Sequence, residues 1–339
     1  PAHRDFHPIE IAHAGHTTEA GRTAFPRTAG FSFLFYFSRF LPRAASEWRS
    51  AIPPVSSPEN SLMPLIGAIA GDILGSRYEF ANFRGSPEEL VIFPPGAFPT
   101  DDTVLTCAVA KALLDARTPE GTVDHENFQS LIAPALRKLA GDHGSAGYGA
   151  RFMRWVLSDD APAPMSFGNG AAMRISPCAW AARTPAEALE LARIATLPTH
   201  GHPEGLMGAA ATVWAINAFR ANLAENDIRR EWAERFGSLG PLPKLESLTP
   251  PIRTDLSCRG TVPLALEIAL QSRSYEETIR RAVALGGDCD TIAAIAGSIA
   301  AGRHPVPQTI REKAIALLPD DLRRIVLDFA EAFPLPPLS

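Results

Sequence analysis

The sequence predicts an all-α protein: one compact multi-helix domain over residues 63–339, behind an irregular extension over residues 1–62. Two observations carry this prediction. From Leu65 onward apolar residues recur at helical spacing, and Thr184-Pro-Ala-Glu187 and Ser274-Tyr-Glu-Glu277 are capping boxes that start helices. Strand signals are scarce, because the tempting run Val91-Ile-Phe93 is too short to build a sheet. No internal repeat of constant period divides the chain.

The extension differs from the rest in kind. It carries several histidines, arginines and prolines and an isolated aromatic knot, Phe31-Ser-Phe-Leu-Phe-Tyr-Phe-Ser38, with no sustained helical period. Pro53-Pro54-Val-Ser-Ser-Pro58 then reads as a linker, and Met63 stands directly before the first well-patterned segment. Two readings fit: a natural start at Met63 preceded by artefactual residues, or an arm that engages a protein partner.

The helices follow in order. Leu65-Ile-Gly-Ala-Ile-Ala-Gly-Asp72-Ile-Leu-Gly75 is apolar nearly all round, as a buried helix should be. Val104–Ala116, Phe128–Leu139, Tyr148–Leu157 and Gly208–Leu223 continue the series. Gly286-Gly287 should end a helix in a left-handed turn. Ile292–Ala301 is built of Ala, Ile, Gly and Ser, which lets neighbouring helices approach closely.

Composition excludes several functions. A net charge of -5 gives no electrostatic case for nucleic acid or an acidic membrane. The aromatic knot is far shorter than the roughly 20 apolar residues that span a bilayer. Polar residues dilute it as a signal-peptide core, so a cytoplasmic protein is expected. Cys107, Cys178, Cys258 and Cys289 form no CxxC pair and read as reduced thiols.

The chemistry lies in two acidic clusters, Thr100-Asp101-Asp102-Thr103 and Asp288-Cys289-Asp290-Thr291. Thr100 is a natural helix N-cap, with Asp101 and Asp102 in a first turn favoured by the helix dipole; an isolated cluster of this kind needs no further role. Asp320-Asp321 should show that ordinary use, dipole compensation alone. The second cluster is harder to dismiss. Asp288 and Asp290, alternating along an extended link, would face one side while Cys289 faces the other, with Thr291 capping the next helix. Paired carboxylates against a buried helix need compensation, and oxygen-only ligands suit magnesium, manganese or calcium. Glu79 offers a fifth carboxylate. Ser166-Phe167-Gly168-Asn169-Gly170 could turn backbone N–H groups toward a phosphate, helped by the helix N-terminus that follows; a plain helix-start turn fits as well. Thr199-His200-Gly-His202 lacks a third ligand for zinc, so substrate hydrogen bonding or loop capping is the better reading.

Five segments, in this order, resemble the ADP-ribosylglycohydrolase family. They are Gly67-Ala-Ile-Ala-Gly-Asp-Ile-Leu-Gly-Ser-Arg-Tyr-Glu79, Pro99-Thr-Asp-Asp-Thr103, Ser166–Gly170, Thr199-His-Gly-His-Pro203 and Leu285-Gly-Gly-Asp-Cys-Asp-Thr291. Ala146-Gly-Tyr-Gly149 and Ser257-Cys-Arg-Gly-Thr-Val-Pro263 are similar to its compact bacterial branch. The resemblance implies an all-helical fold and two Mg2+ (or Mn2+) ions. It implies Thr100, Asp101, Asp102, Asp288, Asp290 and Thr291 as metal ligands, with Asp290 bridging. It further implies Glu79 as a mobile gate, Ser166–Gly170 as the grip on diphosphate and ribose, and His200 in the substrate pocket. Nothing is inherited by residues 1–62, which the core family lacks.

The expected reaction is hydrolysis of the glycosidic bond between ADP-ribose and a protein or small-molecule acceptor. Carboxylates stabilise its oxocarbenium-like transition state, and divalent ions hold ribose hydroxyls and acidify a water. Asp101 or Asp102 would handle the proton, with Phe167 or Tyr148 stacking on adenine. Two other classes fit the same residues: a magnesium-dependent phosphohydrolase, and an immunity-type binding protein that blocks an ADP-ribosyltransferase through residues 1–62.

Overall fold

The computed structural model describes residues 64–79, 81 and 83–334. The expectations for residues 1–62, as arm or artefact, lie outside them. Among the described residues there are fourteen α-helices and no strand beyond two isolated bridges, so the all-α prediction holds. None of these helices is long and apolar enough to cross a membrane.

The chain runs α1 (Ile66–Gly75), α2 (Asp101–Asp115), α3 (His125–Asp142), α4 (Ala150–Leu157), the single turn α5 (Gly170–Met173), α6 (Ser176–Ala181) and α7 (Pro185–His200). It continues through α8 (Pro203–Arg220), α9 (Glu225–Phe236), α10 (Cys258–Gln271), α11 (Tyr275–Ala284), α12 (Cys289–Ala300), α13 (Gln308–Leu317) and α14 (Asp320–Ala332). The centre is the pair α1 and α12, each buried along its whole length. Helices buried on every side need small residues where backbones meet. A Cβ on Gly71 would run into the Ala293 carbonyl, and one on Gly75 into the Asp290 backbone. Tyr275 Oη then donates to the Gly67 carbonyl at 2.8 Å, tying α11 to α1.

Caps fix where the elements begin. Thr184 and Ser274 accept from the N–H groups of Glu187 and Glu277, both at 3.1 Å. Each Glu carboxylate reaches back to the preceding Arg183 or Arg273 N–H, one position beyond a strict capping box. Gly286 and Gly287 have φ of 72° and 67°, the left-handed turn expected of them. Asp320 and Asp321 do lie in the first turn of α14, but dipole compensation is not their whole use. Asp321 also meets His143 Nε2 at 2.8 Å, tying α14 to the end of α3.

Candidate active site

The first acidic cluster forms as its cap predicts. Thr100 is the N-cap of α2, and its hydroxyl accepts from Asp102 N–H at 3.3 Å. The second forms differently. Asp288 occupies the N-cap of α12 without a side-chain capping bond, Asp290 is already inside the first turn, and Thr291 is no cap. The helix starts at Cys289, with only Asp288 between it and the Gly286-Gly287 turn, so there is no extended link over Asp288–Asp290. The two aspartates still converge. Thr291 Oγ1 donates to Asp102 Oδ2 at 3.1 Å, which joins clusters 189 positions apart.

One member of the site escaped the motif reading. Asp72, inside apolar α1, is fully buried and accepts four hydrogen bonds. Thr100 N–H and hydroxyl donate at 3.0 and 2.7 Å, Thr103 N–H donates at 3.1 Å, and the Thr103 hydroxyl also donates. A carboxylate held by these bonds clamps the start of α2 against α1. The signal was present: a lone acid in an otherwise apolar helix has to find donors elsewhere.

Carboxylate oxygens of Asp72, Asp102 and Asp290 lie within 4.8 Å of one another, as do those of Glu79, Asp288 and Asp290. Asp290 belongs to both sets. Asp101 belongs to neither; it is partly exposed, its N–H donates to the Ala146 carbonyl at 2.9 Å, and Tyr148 lies in its field. Among the described residues no lysine, arginine or histidine pairs with these six acids.

Electrostatics follow from that geometry. Burial, and then Asp72 and Asp290, holds the Asp102 carboxyl well above the usual carboxylate range. Asp290 is raised by burial, Asp72, Asp288 and Glu79. Burial, then Asp72, Asp288 and Glu79, lifts Asp101 to about 7. Half-buried Glu79 rises to about 7 through burial and the neighbouring Asp288 and Asp72. Asp102 Oδ1 is buried with no hydrogen-bond partner. An orphaned oxygen amid mutually repelling acids is what an oxygen-liganded divalent cation would relieve, so the donor set fits the expected metals.

The glycine segment departs from expectation. Three of its N–H groups are engaged within the chain: Ser166 N–H donates to the Thr199 carbonyl at 3.0 Å, Gly168 N–H to Ser166 Oγ at 3.0 Å and Asn169 N–H to the Leu256 carbonyl at 2.8 Å. Gly168 bridges Ser257, so this segment is strapped to the start of α10. The helix behind it, α5, is one turn long and has little dipole to offer. Asn169 instead turns its side-chain amide onto Asp288 Oδ2 at 2.5 Å and Thr261 Oγ1 at 3.1 Å, coupling the loop to the acids. Phe167 is half exposed and meets the His202 ring at 5.7 Å. His202 caps α8, its Nδ1 accepting from Glu204 N–H at 3.2 Å, as loop capping would have it. His200 ends α7 and is buried, with its Nε2 edge against Gly170.

An all-helical domain whose buried carboxylates could hold a metal ion defines the class of this protein by fold and site. The family model for ADP-ribosylglycohydrolase matches residues 59–337, and the chain belongs to that family, which acts on ADP-ribosylated substrates and releases ADP-ribose. It is similar to ADP-ribosylhydrolase ARH3 of Danio rerio, 24% identical over 317 residues that cover 71% of this chain and 82% of the relative. A protein of Escherichia coli (strain K12) named Uncharacterized protein YegU is 28% identical over 247 residues, covering 61% and 72% respectively. Among solved structures, an ADP-ribosylglycohydrolase-related protein complex shares the fold, with a TM-score of 0.58 at 24% identity over 81% of this chain and 98% of that one.

Proposed function

We propose that this protein hydrolyses the glycosidic bond between ADP-ribose and an acceptor, with two Mg2+ (or Mn2+) ions held by Thr100, Asp101, Asp102, Asp288, Asp290 and Thr291. The observation that carries the reading is the convergence of acids from α1, α2 and α12 on Asp290, which stands in both carboxylate sets. When bound, the ions supply Lewis-acid polarisation and lower the pKa of a hydrolytic water.

The chain's own residues divide the remaining work. Asp101, the partly exposed aspartate of the group, exchanges a proton with the reacting water or the leaving acceptor. Asp102, buried and engaged by Thr291, is better suited to holding a cation than to exchanging protons with solvent. Glu79 sits past the end of α1 facing Asp288 and Asp72, where it gates the approach to the acids. Asn169 aligns Asp288, while Phe167, half exposed, or Tyr148 stacks on adenine. The bond from water oxygen to the ribose anomeric carbon forms as the bond to the acceptor breaks, and the acceptor leaves with a proton.

The reduced, buried state of Cys107, Cys178, Cys258 and Cys289 supports the cytoplasm as the place of action. The test is a panel of ADP-ribosylated arginine, serine, nucleobase and small-molecule acceptors, assayed with magnesium and with chelator. Released ADP-ribose without free phosphate supports the reading, whereas free phosphate would favour a phosphohydrolase. Asp101→Ala and Asp290→Ala should each lower turnover by at least about 100-fold with the helical spectrum retained. Full activity in either variant, or in chelator, sinks the mechanism.

A further inference from the structure

Behind the glycine segment lies a buried cation that the proposed reaction does not use. Arg174, just after α5, is fully buried, and Nε and Nη1 have no hydrogen-bond partner. Among the described residues no carboxylate pairs with it. Its Nη2 donates to Thr199 Oγ1 at 2.6 Å and to the Ala195 carbonyl at 3.3 Å, and Thr199 Oγ1 in turn meets His200 Nδ1 at 2.8 Å.

Hydrogen bookkeeping assigns the direction of this relay. A guanidinium can only donate, so Thr199 accepts from Arg174 and keeps one proton to give. Nδ1 of His200 is the acceptor within reach of that proton, because Thr199, unlike Thr196, makes no bond back to the carbonyl four residues earlier. We propose that Arg174, acting through Thr199, locks His200 as a neutral imidazole carrying its proton on Nε2, and that this N–H is the donor the site presents to a ligand oxygen. Arg174 and Thr199 are positioning residues for that donor.

The surroundings support the assignment. Nε2 forms no hydrogen bond among the described residues, and a Cβ added to Gly170 would stand 3.0 Å from it, so the glycine leaves this edge open. The Gly168 and Asn169 N–H groups nearby are already engaged within the chain. Burial, and then the Arg174 cation, holds His200 well below the usual histidine range, which removes it as an acid or base near neutrality. The ligand half of the proposal rests on the function proposed above; the tautomer does not.

The test is imidazole 15N NMR on the full chain, with His200 identified by loss of its signals in His200→Gln. Wild type should show an unprotonated Nδ1 and a protonated Nε2, unchanged between about pH 6 and pH 8. Thr199→Val, of equal volume, should release the ring to mixed tautomers and weaken ADP-ribose binding by roughly tenfold, and Thr199→Ser should restore both. A protonated Nδ1 in wild type overturns the relay, and so does an unchanged Thr199→Val spectrum. Expected spectra in a wild-type protein that does not bind ADP-ribose would support the relay and count against the proposed function instead.

Discussion

Asp72 shows how one carboxylate can brace a site that it also borders. Three of its four bonds, from Thr100 N–H and from Thr103 N–H and hydroxyl, fall on Oδ2, while Oδ1 accepts only from the Thr100 hydroxyl; the carboxylate fixes the geometry of α2 and still borders Asp102 and Asp290. Asp72→Asn puts an amide against these donors. It should cost about 1–3 kcal/mol of stability and weaken magnesium binding by about 10–100-fold, read by thermal unfolding and titration calorimetry. An unchanged calorimetric titration would remove Asp72 from any positioning role. The convergence of Asp102, Asp288 and Asp290 was legible in the sequence because adjacent or alternating acids beside an apolar run are conspicuous. Asp72 was not, since its partners begin 28 positions away and nothing local marks the pairing. The internal use of the Asn169 N–H was equally hidden, because it depends on Leu256 meeting the turn in three dimensions, whereas the Gly168 bond to Ser166 is a local serine turn.

The packing of α1 on α12 carries the site as surely as the acids do. Gly75 touches the backbone of Asp290, so the distance between these helices sets where the shared carboxylate stands. Gly75→Ala leaves every candidate ligand in place yet must push α12 away. It should cost roughly 1–3 kcal/mol by overpacking and reduce magnesium affinity beyond what a surface Gly→Ala change does; wild-type affinity in a folded Gly75→Ala protein would refute this coupling. The helix interiors were readable from apolar spacing, and the ends were less so. Gly208–Leu223 in fact starts earlier, with α8 at Pro203 behind the His202 cap, because an imidazole can cap where the sequence suggests a loop. The role given to Thr291 failed for a related reason: Asp288 already held the cap position, freeing the threonine hydroxyl for Asp102.

The crowding of acids has a thermodynamic consequence for the folded chain. Asp72, raised to about 6, and Asp101 and Glu79, each raised to about 7, bind protons more tightly when folded than when unfolded. Their contribution to stability is therefore fully present below the unfolded carboxylate range of about 4 and is lost as pH rises through about 6 to 7. In chelator, the melting temperature should rise as pH is lowered from about 7.5 to about 5, until other groups begin to oppose it. Added magnesium should stabilise most at the upper end of that range, since cations compete with protons for the same oxygens. A melting temperature in chelator that falls steadily on acidification across this window would contradict the crowded-acid account.

The hydrogen bond from Thr291 to Asp102 also bears on how the protein comes into being. A ribosome has released α2 into solution long before it makes α12, and no catalytic centre can close until that late helix arrives. A chain severed between α9 and α10 would be inert as separate halves, and any recovered turnover would measure their reunion. The enzyme is thus its own reporter of complementation.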